Sequence, residues 1–161
     1  MTVMEITRIE WTEELKTSHA GLDNQHKELL AMLNELGEAI QQGQGAATMK
    51  RIFACALSYA DWHFRYEEEL AAKYQCPIAE RNLREHEAFR QLIAKFEQEY
   101  KAARTAELAG QGSSDTLEAL AVTFHKQLVD WTFNHIAVVD KQIGEYVSAV
   151  TADKAKAVTA C

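Results

Sequence analysis

Pro77 is the only proline in a chain of 161 residues. Proline removes a backbone donor and clashes with the preceding helical turn, so a chain this poor in it is free to run in long helices. Its apolar residues recur in threes and fours, the period of a helix face and not of a strand. Four such stretches are legible. The first covers residues 22–42, with Leu22, His26, Leu29, Leu30, Leu33, Leu36 and Ile40 on one stripe, and Gly43 and Gly45 are expected to stop it. The second covers 46–74, with Ile52, Phe53, Tyr59, His63, Glu67 and Leu70, and ends at Cys76-Pro77. The third covers 79–109, with Asn82, His86, Phe89, Ile93, Phe96 and Tyr100 inward, and ends at Gly110-Gln111-Gly112. The fourth, capped by Ser114 or Asp115, runs to about residue 150 with Leu117, Leu120, Phe124, Leu128, Trp131, His135 and Tyr146 inward.

Short connections make neighbouring helices antiparallel. The expected fold is therefore all-α: an up-down-up-down four-helix bundle over 22–150. An N-terminal arm, 1–21, precedes it, and a tail, 151–161, is expected to fray. This length suffices for one domain with a real core.

The formal net charge is −7 and no basic run occurs, which argues against a nucleic-acid groove or an anionic membrane as partner. No segment approaches the roughly 20 apolar residues of a membrane span. The first residues, MTVMEITRIEW, lack the basic and apolar regions of a signal peptide, so a cytoplasmic protein is expected. The three cysteines are odd in number and widely spaced, as for reduced thiols. Cys55 reads as a core thiol, Cys76 as a loop residue and Cys161 as part of the tail.

Polar residues interrupt the inward stripes at particular places. His26 lies early in the first helix, His63 and Glu67 late in the second, Asn82 and His86 early in the third, and His135 and Asp140 in the later half of the fourth. Antiparallel packing brings all four sets toward one end of the bundle, each roughly 4–15 residues or about 6–22 Å from that end. His63 and Glu67, spaced i, i+4, share a helix face. Four imidazoles with two carboxylates and no thiolate suit iron, zinc or manganese, and not an iron–sulfur or structural cysteine–zinc site. A metal-free polar core would leave two buried carboxylates without compensation. His135 and Asp140 fit less simply: five residues apart, they diverge by about 140° on an α-helix, so their spacing alone does not place both on one metal pair. His19 reads as a loop residue. His125, about 15 Å along the helix from His135, reads as a surface or partly buried residue.

Four motifs in order resemble those of the hemerythrins. Leu22-Asp23-Asn24-Gln25-His26-Lys27 carries a D-x-Q-H core, and His63-Phe64-Arg65-Tyr66-Glu67-Glu68 is similar to H-F-x-x-E-E. Pro77 with Glu85-His86-Glu87-Ala88-Phe89 resembles the start of the family's third helix. Trp131-Thr132-Phe133-Asn134-His135-Ile136, followed by Asp140, resembles W-x-x-x-H-I-x-x-x-D. Trp11 fits the bacterial members, and the resemblance covers roughly residues 11–146. It implies two non-haem iron ions with an oxo or hydroxo group between them, bridged by Glu67 and Asp140. One iron would take His26 and His63; the other would take His86, His135 and a third histidine at position 82.

Position 82 is Asn, the main departure. Water can fill the vacant position, the Asn82 amide oxygen can bind weakly, or the second iron can bind so loosely that a mononuclear site remains. Glu85 is a poor substitute, about 100° away around the helix. The resemblance also implies a dioxygen pocket of Leu29, Phe64, Trp131, Thr132 and Ile136, where Thr132 replaces a usually apolar residue and adds a donor.

The implied function is binding of dioxygen or a related small diatomic for storage, delivery or sensing, any sensing needing a separate partner. Two alternatives stand beside it. One is a di-iron oxidoreductase acting on peroxide, nitric oxide or dioxygen through the position left open by Asn82; the other is an iron-buffering bundle. The sequence sets no oligomeric state, and a monomer is the working expectation.

Overall fold

The computed structural model describes residues 6–159. Cys161 and the first five residues of the arm lie outside them. Helix α1 spans Ala20–Gln41, α2 Gly45–Lys73, α3 Ala79–Leu108 and α4 Ser114–His135. A π-helical turn, Ile136–Asp140, joins α4 to α5, Lys141–Thr159. His135, Ile136 and Lys141 all keep right-handed helical backbone angles, so α4, the π turn and α5 form one unbroken rod. The architecture is a four-helix bundle with no strand among the described residues, α1 packing on α2, α2 on α3, α3 on α4 and α4 back on α1.

The helices end where local chemistry stops them. After α1, α2 and α3 the chain takes one left-handed residue, at Gly43 (φ 68°), Gln75 (φ 54°) and Gly110 (φ 72°). In each case the next amide donates to a carbonyl five residues back: Gln44 to Ala39, Cys76 to Ala71 and Gln111 to Ala106, at 2.8 to 2.9 Å. This closure satisfies the last orphan carbonyls of a helix. Gly45 does not end α1 but begins α2. α1 starts two residues before its expected boundary because His19 is its cap, Nδ1 accepting from the Leu22 amide at 3.3 Å. The cap of α4 is Ser113, which accepts from Thr116, and not Ser114 or Asp115.

Two apolar clusters fill the bundle. The larger includes Leu33, Leu36, Ile52, Phe53, Phe89, Ile93, Phe96, Phe124 and Leu128. The smaller holds Leu22, Ala71, Cys76, Val139, Ile143 and Val147. His26, Glu67 and Asp140 fall between members of the two clusters along their own helices, so a polar layer separates them. Cys55, expected in the core, is exposed: Ile52, Phe53, Ala56 and Ala60 take the inward positions of α2 and turn residue 55 outward. Cys76 sits in the α2–α3 connection and is buried. His125, expected at or near the surface, is 7% exposed and lies 3.1 Å from the Leu33 carbonyl through Nε2. The absent side chain of Gly37 makes room for it, since a Cβ there would lie 3.1 Å from Nε2.

The arm lies along the bundle. The Asn34 amide exchanges two hydrogen bonds with the backbone of Ile9, at 2.7 and 2.9 Å, replacing a strand partner. The amide and hydroxyl of Thr17 both donate to Asp23 Oδ1, at 2.9 and 2.8 Å. Buried Thr17 then meets α5 at Gly144, where a Cβ would stand 2.1 Å from the Thr17 carbonyl oxygen. Gly144→Ala is therefore expected to destabilise the protein by about 1–3 kcal/mol through overpacking against backbone. Thermal melting of the variant checks this, and an unchanged midpoint would contradict the close approach. Residues 151–159, expected to fray, continue α5 as helix with exposed side chains. No helix among the described residues is long and apolar enough to cross a membrane.

Candidate metal centre

His26, His63, Glu67, His86, His135 and Asp140 converge in the polar layer, none more than 2% exposed. The fourth helix departs from the regular α-helical spacing expected of it. His135 Nε2 lies 2.9 Å from Asp140 Oδ1 although the residues are five apart. The π turn is the reason: its hydrogen bonds run from i to i+5, so residue i+5 returns above residue i where an α-helix would carry it past.

The atoms form two groups. His26, His63, Glu67 and Asp140 make one; Glu67, His86, His135 and Asp140 make the other; within each group the candidate ligand atoms lie within 4.8 Å of one another. The two carboxylates belong to both groups. Asp140 turns Oδ2 to His26 Nε2 at 2.9 Å and to His63 Nε2 at 4.0 Å, while Oδ1 faces His135. Glu67 Oε2 lies 3.1 Å from His63 Nε2 and 3.6 Å from His86 Nε2. These approaches are close without being aligned as hydrogen bonds. The Nε2 atoms of His26, His86 and His135 and all four oxygens of Glu67 and Asp140 are buried with no hydrogen-bond partner. Buried polar atoms are rarely left so, and a set of lone pairs facing one another fits cations between them.

Outer groups set the tautomers. His63 Nδ1 donates to Gln25 Oε1 at 2.6 Å, His86 Nδ1 to Glu68 Oε1 at 2.8 Å, and His135 Nδ1 to Glu85 Oε2 at 2.7 Å. An acceptor at Nδ1 keeps the proton there and leaves Nε2 free to face inward. Aromatic rings hold the imidazole planes: Phe64 stacks on His86 at 3.7 Å, Trp131 on His135 at 4.4 Å and Tyr59 on His63 at 5.1 Å between centroids. The sequence gives Gln25 and Glu68 no separate role, and Glu85 only that of a poor substitute ligand. Gln25 and Glu68 stand inside the D-x-Q-H and H-F-x-x-E-E motifs, a signal that was present. Glu85 does not point at the metal position; it reaches across to α4.

Asn82 is fully buried one turn before His86, and both its amide atoms lack partners. Thr132 is also fully buried with its hydroxyl unpaired. Thr105, Thr123, Thr151 and Thr159 behave differently, each donating to the carbonyl four residues earlier at 2.8 to 3.2 Å. Leu29, Phe64 and Ile136 are buried, and Trp131 is half-buried against His135.

Without metal the group is electrostatically divided. Burial pushes His63 down to about 3 and His86 down to about 2. Burial also disfavours charge on His135, but the close Asp140 carboxylate and the hydrogen bond to Glu85 outweigh it and raise His135 to about 9. Burial, followed by the charge of Asp140, raises Glu67 well above the usual carboxylate range. For Asp140 burial acts upward, yet the close approach of His135 and His26, each at 2.9 Å, holds it well below that range.

His63 and His86 take up protons more readily unfolded, so their contribution is present above the unfolded value of about 6.5 and is lost as pH falls toward 3. His135 contributes fully below about 6.5 and loses that contribution as pH rises through 9. The metal-free protein is thus expected to melt highest near neutrality and lower on both sides. Bound metal is expected to raise the midpoint near neutrality and to remove the alkaline loss by displacing the His135 proton, while the acid side stays steep because protons compete for the nitrogens. Melting curves with and without metal test this, and a metal-free midpoint indifferent to acidification would refute it.

A family model described as Hemerythrin HHE cation binding domain matches residues 17–147. A bacteriohemerythrin of Pseudomonas aeruginosa (strain LESB58) is 32% identical over 142 residues, covering 87% of this chain and 80% of the relative. A bacteriohemerythrin of Stenotrophomonas maltophilia (strain R551-3) is 28% identical over 139 residues, covering 86% and 81%.

Proposed function

From the premise that the chain belongs to the hemerythrin family, we propose that it holds two non-haem iron ions in the polar layer and binds dioxygen or a related small diatomic there, for storage, delivery or sensing. One observation carries this reading: Glu67 and Asp140 are each shared between two histidine groups, the arrangement two bridged cations require. His26 and His63 would hold one iron and His86 and His135 the other, with Glu67 and Asp140 available to both.

When bound, the iron pair supplies the electrons for reversible dioxygen binding. The protein supplies the surroundings. Leu29, Phe64, Trp131 and Ile136 limit water around the ligand position, which protects a reduced metal from oxidation. The buried, unpaired Thr132 hydroxyl is free to donate to a polar guest. Asn82 stands where a third imidazole would complete the second iron, and leaves that position to its own amide oxygen or to exchangeable water.

The unpaired amide of Asn82 and hydroxyl of Thr132 favour a second reading. Both make the centre more polar, which suits an oxidoreductase turning over peroxide, nitric oxide or dioxygen.

Iron content measured with the visible spectrum under dioxygen separates these readings. Two irons per chain with an absorption band that bleaches on deoxygenation and returns supports binding. Rapid irreversible oxidation with consumption of peroxide or nitric oxide supports the enzyme. Fewer than two irons after reconstitution excludes both.

A further inference from the structure

The two halves of the centre have the same inner composition, two imidazoles each with Glu67 and Asp140 in common. Inner ligands therefore give no reason for one metal position to fill before the other. The outer partners do. Behind His86 and His135 stand carboxylates, Glu68 at 2.8 Å and Glu85 at 2.7 Å. Behind His63 stands the neutral amide of Gln25 at 2.6 Å, and His26 Nδ1 is buried with no partner.

An amide acceptor orients an imidazole. A carboxylate acceptor also draws the Nδ1 proton toward itself, which makes Nε2 a stronger donor, and adds a negative charge one ring's width from the cation. Glu85 is held in place from its far side by Arg81, whose Nε donates to Oε1 at 2.8 Å, while its other oxygen serves His135. Arg81 is half exposed, so its charge is largely screened by solvent, whereas the His135–Asp140 side of Glu85 is dry.

We infer that the His86/His135 position is the high-affinity one, filling with a divalent cation before the His26/His63 position, and that Glu68 and Glu85 are the positioning residues that make it so. The inference rests on the two-metal reading above. Asn82, one turn before His86, adds no imidazole that would decide the order.

The test uses the full chain, stripped of metal, with labelled histidines and zinc as a redox-inert probe followed by NMR. Imidazole signals of His86 and His135 are expected to move during the first equivalent, and those of His26 and His63 during the second. Stepwise binding constants should differ at least tenfold, the lower end of outer-partner effects. Glu68→Gln with Glu85→Gln should weaken the first constant about 10–100-fold and bring the two together. Glu85→Asp should recover part of the loss. Gln25→Glu should strengthen the second constant, a gain that does not depend on the doubly substituted protein folding. Movement of His26 and His63 first, simultaneous movement of all four, or indifference of the constants to these substitutions would overturn the ordering. Absence of any zinc-linked shift would overturn the two-metal reading itself, and the ordering with it.

Discussion

Asp140→Asn protein is expected to keep its helices and to bind less than one iron per chain, against the two proposed for the parent. Asp140 is common to both histidine groups, with one oxygen turned to each. Its replacement removes an anion from both positions at once. Asparagine conserves the shape but offers one neutral oxygen and an NH₂ group that faces a cation unfavourably. The loss should exceed the roughly 100-fold upper end seen when only an outer partner is removed. Metal analysis after reconstitution and desalting, with circular dichroism as the control for folding, measures it. Retention of both irons would show that Asp140 is not a shared ligand. Leu29→Val, in the apolar surroundings, should retain both irons and so serves as the comparison.

Asn82→His is expected to act in the opposite direction. It places an imidazole one turn before His86, on the same face of α3. The proposed second iron then gains a strong ligand in place of an amide or exchangeable water. Iron should survive a chelator challenge at least tenfold longer, by analogy with the size of weaker outer-partner effects. The dioxygen-bound form should also last longer before oxidising. Without metal the variant carries a larger side chain in a fully buried position and should be less stable by about 1–3 kcal/mol. Opposite changes in metal-free stability and iron retention would mark a restored ligand. If both fall together, position 82 does not face the metal.

The bundle was legible in the sequence because a helix face repeats every three to four residues and the breaks carry their own signals. Gly43 and Gly110 announced two of the three left-handed helix ends, since glycine adopts that conformation without strain. Gln75 closes α2 in the same way with no such signal. The convergence of His26, His63, Glu67, His86 and His135 followed from antiparallel order alone. The boundaries were less legible: α1 begins at a histidine cap, and the cap of α4 lies one residue before either candidate. The burial of His125 depends on Gly37 of another helix, which no reading of its own segment can supply.

Asp140 shows most plainly where local reading ends. A regular helix predicts that it faces away from His135, and the tertiary structure inserts one π turn that brings it back. That turn costs hydrogen-bond quality locally and is held by the packing of Ile136 and Val139 on either side of the polar layer. Glu85 is a second case. Its helical angle from His86 excludes it from the metal position, and only the packing of α3 against α4 shows that its carboxylate is spent on His135 instead. The sequence by itself determined the helices, their order and the level at which the histidines meet, because these follow from periodicity and chain direction. Only the tertiary structure shows how Asp140 comes to lie beside His135 and how Glu85 comes to stand behind it, because those placements depend on one extra residue in a turn and on contacts across helices.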